Sequence, residues 1–451
     1  MKSSHFAAWV VLAACSCGHE DDATSDDVTP EARITYYDDI APLLNERCAT
    51  CHTEGGIAPF SLTDLEAAQT WASPSLMAIS ERRMPPWGAR ADGECGEFIG
   101  AQWLTESEIE TFAAWVDGGL AAGEPGPALT PEPPLTLDVA DTVEMSTPPT
   151  VPELGEDVGY DEYWCFRLDA GLAQDRFLTG YDILPGNPSL VHHVVVMPVD
   201  PTVPSLLEEA SNGEVMAALD AQSPDRPGWP CWSLAGPGVY VDSVPVSWAP
   251  GQGAVHYPEG TGVRINADSD IIVQVHYNAP DLSFVGQSDE TIVALQLEDQ
   301  VEREGMFFVN DELLNKMMSG APETIPGGMP STSYRWALTK DEIEQRLVRF
   351  GIAPSESVEI LSIFPHMHEY GVNMQAEVSG TERSECILDV PRWDFNWQFV
   401  YNYARPVVVE AGEQFAVTCT WDTSSTTQDV NPGWGTEEEM CFFGLFVVPS
   451  Q

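Results

Sequence analysis

Basic side chains are scarce in this chain. Its 451 residues carry 19 Lys plus Arg against 71 Asp plus Glu, a formal charge of -52. Such a surface repels phosphate backbones and anionic lipid, which excludes nucleic acid as a partner and leaves a soluble, self-repelling surface as the plain reading. Long apolar runs are missing as well. The stretch from Phe6 to Ala14 is too short to span a bilayer, so a membrane-crossing helix is excluded there. Histidine is rare, with nine in the whole chain, and any clustering of them carries weight. A chain of this length exceeds one ordinary core, so several domains are expected.

The first residues read as an export signal: Lys2, then the apolar stretch, then Leu12-Ala13-Ala14-Cys15, which resembles a bacterial lipobox. Residues 1–15 form the leader and 16–33 an acidic tether carrying Glu20, Asp21, Asp22, Asp26 and Asp27. The expectation is an exported bacterial protein, periplasmic or held at the outer membrane or cell surface through a lipid on Cys15. An ordinary cleaved leader is the alternative. Either one implies an oxidising compartment, where unassigned cysteines become disulfide candidates.

From Ile34 to about Leu120 the apolar spacing is helical, as in Tyr37–Leu44 and Glu108–Val116. Thr105-Glu-Ser-Glu108 matches a capping box that starts the last helix, and Gly118-Gly119 ends it. This stretch, 34–122, is a small α domain. Residues 123–153 hold eight prolines, Pro125, Pro127, Pro131, Pro133, Pro134, Pro148, Pro149 and Pro152, and read as a stiff extended linker. Thereafter short Val/Ile/Phe/Trp-rich runs separated by turn residues predict an all-β remainder. A helical interruption near Thr339–Phe350 and a Gly/Pro-rich stretch near Pro322–Pro330 suggest two β domains, 154–302 and 303–451.

Covalent attachment of a c-type haem needs two thiols on one helical turn followed by a histidine for the iron. Cys48-Ala-Thr-Cys51-His52 supplies all three. A thioredoxin-like redox pair would want a βαβ context, and a zinc site would want a second ligand pair. Met84, in Arg82-Arg-Met-Pro-Pro-Trp87, is the candidate second axial ligand, with a packing methionine as the alternative. The segment resembles the small cytochrome c domains fused to bacterial redox enzymes, which implies electron transfer at the iron.

The remaining histidines cluster as adjacent His192 and His193, His276 in a strand, His366 and His368 as H-x-H, and a separate His256. Two positions apart on a strand, His366 and His368 point to one face and can grip one ion, with Met367 turned away. His192 and His193 alternate across a regular strand, so sharing a metal requires a bulge or different ring nitrogens. For each pair alone, a satisfied core histidine is an equally good reading. Imidazole sites without cysteine suit copper, zinc or iron, and a thioether selects Cu(I), which directs attention to Met440 in Glu439-Met-Cys441.

Val191-His-His-Val, Gln274-Val-His-Tyr, Pro365-His-Met-His-Glu-Tyr-Gly371 and Glu439-Met-Cys441 together resemble, in order and character, the copper motifs of the ascorbate-dependent type II monooxygenases, a family that includes peptidylglycine and dopamine hydroxylases. Ser247-Trp-Ala-Pro-Gly251 and His256-Tyr-Pro-Glu-Gly260 are supporting matches. The resemblance implies two jelly-roll β-sandwiches, each holding one copper and facing a solvent-filled cleft. It implies His192, His193 and His276 on an electron-transfer copper, and His366, His368 and Met440 on the copper that activates dioxygen. His256 has no counterpart and reads as structural.

The expected fold is thus multidomain, a small all-α cytochrome c domain followed by two all-β jelly-roll sandwiches. The expected activity is copper-dependent monooxygenation of an activated C–H bond in a small organic substrate, with two copper ions, one covalent haem, O2 and an electron donor. The haem is expected to feed the His-only copper. Peptide-amidating relatives place an arginine two residues before H-x-H; Phe364 stands there, which argues against a peptide carboxylate as substrate. The family also suggests a Cys419–Cys441 disulfide, and Cys165–Cys231 is expected in the first sandwich. Cys17, Cys95 and Cys386 have no assigned partner, and the odd count leaves at least one thiol free. The rival readings are a non-catalytic copper and haem electron-transfer protein and a zinc-loaded binding module.

Overall fold

The protein is described here as a computed structural model covering residues 33–130, 135–155, 160–207, 209–279 and 282–450. The leader, most of the acidic tether, Cys15 and Cys17 lie outside the described residues. Among those described, no helix is long and apolar enough to cross a membrane.

Helices dominate the N-terminal part. A π-turn at Tyr36–Ile40 runs into Ala41–Arg47, followed by Leu65–Ser80 and Glu106–Asp117. The capping box forms as expected: Thr105 accepts from the Glu108 N–H while Glu108 reaches back to the Thr105 N–H. Such a cap stabilises a helix by about 1 kcal/mol. Gly119, at φ 82°, carries the chain out of the last helix in a conformation a side chain would resist. Ile40, Leu44, Ala72, Ile79, Phe112 and Trp115 form the buried centre of this unit.

The rest is β-sandwich. A five-stranded sheet runs Trp229–Pro230, Asp161–Leu168, Asp270–Asn278, Val191–Val199, Val246–Trp248. A four-stranded sheet runs Thr332–Thr339, Gln414–Trp421, Gly371–Ser379, Ser384–Val390. Both pack on a single nine-stranded sheet whose path is Thr142–Ser146, Ile292–Glu298, Arg176–Leu184, Thr261–Ile265, Arg303–Asp311, Phe442–Pro449, Val358–His366, Tyr401–Val409, with Val255–His256 alongside Arg176–Leu184. Val194, Val273, Tyr181 and Val263 lie in the core under the five-stranded sheet; Ile360, Met374, Val378 and Phe415 lie in the core under the four-stranded one.

The continuity of the long sheet comes from Arg303–Asp311. Its first residues pair in parallel with Thr261–Gly262–Val263 and its later ones antiparallel with Phe442–Val447, so one strand belongs to both sandwiches. The expected division near residue 302 falls at the start of this shared strand. Thr142–Ser146, inside the stretch read as linker, pairs in full register with Ile292–Gln296 and extends the first sandwich. Proline density hid a short β-prone Thr-Val-Glu-Met-Ser run that the neighbouring edge recruits. The helical interruption forms as Lys340–Arg349, capped by Thr339 and Glu342.

Residues 87–101 leave the helical unit and pack on the C-terminal sandwich. Ala89 and Phe98 are part of its core, and Phe98 bridges to Tyr403. Backbone hydrogen bonds from Arg90 N to Asp389 O (2.8 Å), Ile99 N to Asn402 O (2.9 Å) and Ala404 N to Glu97 O (2.8 Å) secure this strap. The Cys95–Cys386 disulfide locks it. Cys165–Cys231 and Cys419–Cys441 pair as expected, so Cys95 and Cys386, left unassigned by sequence, close on each other across 291 residues.

Candidate metal centre

Val191–Val199 and Asp270–Asn278 are neighbours in the five-stranded sheet, and this pairing brings His193 opposite His276. The register slips between Val191 and His193, and this bulge turns His192 onto the same face. His192 Nδ1 lies 3.2 Å from His193 Nδ1, which lies 3.3 Å from His276 Nδ1. Among the described residues, these three form a group whose ligand atoms all lie within 4.8 Å of one another.

The protonation of this group follows from its partners. His276 Nε2–H donates to Asp161 Oδ1 at 2.8 Å, which leaves its Nδ1 lone pair facing the other two rings. Burial lowers the His276 pKa below its ordinary value, with Asp161 opposing. Burial and the neighbouring imidazoles hold His192 and His193 neutral well below theirs. Burial alone would raise Asp161; the hydrogen bonds from His276, Asn278 and Thr436 overcome it and bring the carboxyl to about 2. Tyr163 stacks on His276 at 4.1 Å between ring centroids. Three neutral nitrogens facing one another, and a buried His192 Nε2 without a partner, suit a cation better than any internal hydrogen-bond arrangement.

The second set departs locally from expectation. The strand carrying the H-x-H ends at His366, and His368 lies beyond it. The chain leaves the sheet there because the fully buried Glu439 carboxylate accepts the His368 N–H (3.0 Å) and the Tyr370 N–H (2.7 Å), along with Trp421 Nε1–H (2.9 Å) and the Met440 N–H (3.2 Å). The rings of His366 and His368 nonetheless stay together, 5.1 Å apart, and Met367 turns into the core as read. His366 Nδ1–H donates to Gln398 Oε1 (2.6 Å) and His368 Nδ1–H to the Glu438 carbonyl (3.0 Å), so each keeps Nε2 free as a donor to metal. Burial lowers His366 to about 3 and His368 to about 4. Met440, 1% exposed, precedes the strand Phe442–Pro449 and lines the same cavity as His366.

The two sets do not face each other across an open cleft. The His193 and His366 rings are 6.1 Å apart, and both line one cavity of about 40 Å³ with Met440, Tyr163, Gln274 and Trp434. Phe395 fits between the sets, stacked on His192 at 4.4 Å and edge-on to His368 at 5.9 Å. His256 stays outside, its Nε2 3.1 Å from the Thr136 carbonyl oxygen, in keeping with a structural role.

Residues 315–448 match the family described as copper type II ascorbate-dependent monooxygenase, C-terminal domain. The C-terminal sandwich thus carries the copper type II signature. His366, His368 and Met440 lie inside the matched span, and the three-histidine cluster lies outside it. Tyramine beta-hydroxylase of Caenorhabditis briggsae is 24% identical over 282 residues, 59% of this chain and 41% of that protein. Human dopamine beta-hydroxylase is 24% identical over 318 residues, 69% of this chain and 46% of that one. The chain thus spans under half the length of these two relatives. The major capsid protein P2 of bacteriophage PM2 overlaps with a TM-score of 0.28 at 9% identity, over 69% of this chain and 98% of that one, too weak a likeness to argue from.

In the helical unit, Cys48 and Cys51 are free thiols joined by a tight turn, with His52 N 2.9 Å from the Cys48 carbonyl oxygen. His52 Nδ1–H donates to Phe60 O at 3.0 Å and leaves Nε2 available. Cys48 and Met84 both pack on the core of this unit.

Asp161, Gln398, Glu439 and Trp434 belong to the site without having been chosen from sequence as its residues. Only Glu439 stood inside a recognised motif. The others are polar or aromatic residues on separate strands and loops that nothing in local sequence marks.

Proposed function

We propose that this chain is an oxygen-incorporating copper oxidoreductase, a monooxygenase that hydroxylates a C–H bond of a small organic substrate. One observation carries the reading: two donor sets of the chemistry copper prefers, one of three imidazoles and one of two imidazoles and a thioether, open on one cavity. The similarity of the C-terminal sandwich to copper type II monooxygenases supports it. Copper at these sites would supply single electrons and activate dioxygen.

The chain's own residues set the conditions. His192, His193 and His276 stay neutral and present lone pairs inward, and ionised Asp161 holds the His276 tautomer. Gln398 and the Glu438 carbonyl orient the second pair, and Met440 favours the reduced metal. Tyr163, Val195, Phe307, Phe364 and Phe442 give the cavity an apolar wall without a charged side chain to hold an amine or carboxylate, so a substrate that enters when the sandwiches part is a neutral, apolar molecule.

The same reading assigns a covalent haem to Cys48, Cys51 and His52, with Met84 as second ligand, as the source of electrons. The free thiols and the Phe60-oriented His52 fit that group. The three disulfides suit an oxidising compartment, which supports export; a lipid on Cys15 belongs to the same proposal.

A second reading, a copper and haem electron-transfer protein without oxygenase chemistry, is favoured by the cavity itself: about 40 Å³ admits water or dioxygen and no organic molecule unless the sandwiches part. Metal analysis with paramagnetic resonance tests the shared part of both readings: two Cu(II) per chain is the expected result, and zinc in both sites overturns them. Reductant-dependent oxygen uptake separates the two.

A further inference from the structure

Building on the haem reading above, we propose that electrons enter the sandwiches at the His366–His368–Met440 set, through Trp393, and not at the three-histidine cluster.

Among the described residues, the strap that follows the helices packs on the C-terminal sandwich. Residues 87–101 are part of the C-terminal core, hydrogen-bonded to Asp389 and Asn402 and cross-linked at Cys95–Cys386. The strap starts three residues after Met84, so the loop that follows Met84 is carried against the C-terminal sandwich while Met84 itself packs on the core of the helical unit.

Between them lies a cavity of about 240 Å³. One wall is the Met84 loop: Arg82, Arg83, Pro85, Pro86 and Trp87. The opposite wall includes Pro365, next to His366, and Trp393. Trp87 meets Tyr401 edge-on at 4.9 Å and Phe399 at 6.3 Å, and its buried indole N–H has no partner. The cavity is thus lined by aromatic rings from the Met84 loop to the H-x-H segment.

Trp393 reaches the metal set directly. Its indole Nε1–H donates to the His368 carbonyl oxygen at 3.2 Å, its ring lies 6.5 Å from the His366 ring, and its N–H is fixed to the Val372 carbonyl oxygen at 2.9 Å. It is therefore the only cavity-lining ring described that also bonds to the H-x-H backbone. Phe395, which stacks on His192, is not among the residues that line this cavity, and neither is any histidine of the three-histidine cluster. The transfer is a one-electron exchange in which ferrous haem becomes ferric and Cu(II) becomes Cu(I); no bond forms or breaks and no proton moves.

The test uses the full chain loaded with haem and copper. Covalent haem is first verified by its pyridine haemochrome; its absence overturns the haem reading and this inference with it. Flash reduction of the haem, followed by its reoxidation at the α band under anaerobic conditions, then reads the route. Trp393→Leu is expected to lose the fast phase of haem reoxidation while the copper paramagnetic signals and circular dichroism stay as in the unsubstituted protein; Trp393→Phe, which keeps a ring, is expected to retain much of it. His192→Ala, which weakens the three-histidine cluster, is expected to keep the fast phase. An unchanged fast phase in a folded Trp393→Leu protein, or its loss in His192→Ala, overturns the route while leaving the haem reading intact.

Discussion

Asp161 bonds His276 with one carboxylate oxygen and Thr436 with the other: Oδ1 accepts His276 Nε2–H at 2.8 Å and Oδ2 accepts Thr436 Oγ1–H at 3.0 Å. Thr436 belongs to the loop of the C-terminal sandwich that leads into Met440. A single carboxylate therefore ties the tautomer of the three-histidine cluster to the placement of the loop that carries the thioether.

Asp161→Asn removes the carboxylate charge behind the neutral His276 ring and leaves a partner that donates as well as accepts. Loss of such a supporting carboxylate costs about 10-fold to 100-fold in metal affinity. Copper titration against a competing chelator is expected to show that loss at the three-histidine site, with the second site less affected. Equal weakening of both sites would mean that the Thr436 bond, and not the His276 bond, dominates.

Glu439 is fully buried and accepts four N–H groups. Glu439→Gln replaces one accepting oxygen by an NH2 group that faces donors, so at least one buried N–H loses its partner. The expected destabilisation is about 2 to 4 kcal/mol, read as a lowered denaturation midpoint, with copper lost from the second site because the His368 backbone is no longer held.

Cys386→Ser opens the cross-link between strap and C-terminal sandwich. A loss of about 2 to 4 kcal/mol, the usual range for a disulfide, is expected. Limited proteolysis then cuts residues 87–101 faster than in the intact protein. Unchanged protection would show that Phe98 and the strap's backbone hydrogen bonds hold it alone.

Asp311 sets a pH dependence beside the Met440 segment, where it accepts the Cys441 N–H. Burial raises its carboxyl from 3.8 to about 7, with N–H bonds from Leu314, Leu313 and Cys441 opposing. The folded chain binds this proton more tightly than the unfolded chain does. Its contribution is therefore complete below pH 4 and is lost as the pH rises to about 7, a change on the order of a few kcal/mol. The buried histidines, with pKa values held below 6.5, give the opposite slope in the same window, so the test is a difference: urea midpoints measured from pH 4 to 7 are expected to rise more steeply with pH in Asp311→Asn than in the unsubstituted protein.

Local features were legible in the chain and distant ones were not. The capping box at Thr105, the helical interruption after Thr339 and the strands bearing His193 and His276 follow from spacing that lies within one element. For two adjacent histidines to share one metal, stereochemistry left a bulge or different ring nitrogens, and the strand carries the bulge. By contrast, Cys95 and Cys386 lie 291 residues apart, and no periodicity links them. Asp161 meets His276 across a strand pair, and its partner Thr436 comes from another sandwich. The closeness of His193 to His366 depends on one strand, Arg303–Asp311, serving both sandwiches. Such relations are set by tertiary packing, which pattern alone does not encode.

The central claim, a copper site that activates dioxygen at His366, His368 and Met440, is tested most directly by oxygen uptake of the copper-loaded protein in the presence of a one-electron reductant. The account predicts uptake that requires copper and is abolished in Met440→Ala while the three-histidine copper remains bound. Copper-loaded protein that consumes no oxygen above the free-metal background, or a Met440→Ala protein that consumes it undiminished, would contradict it.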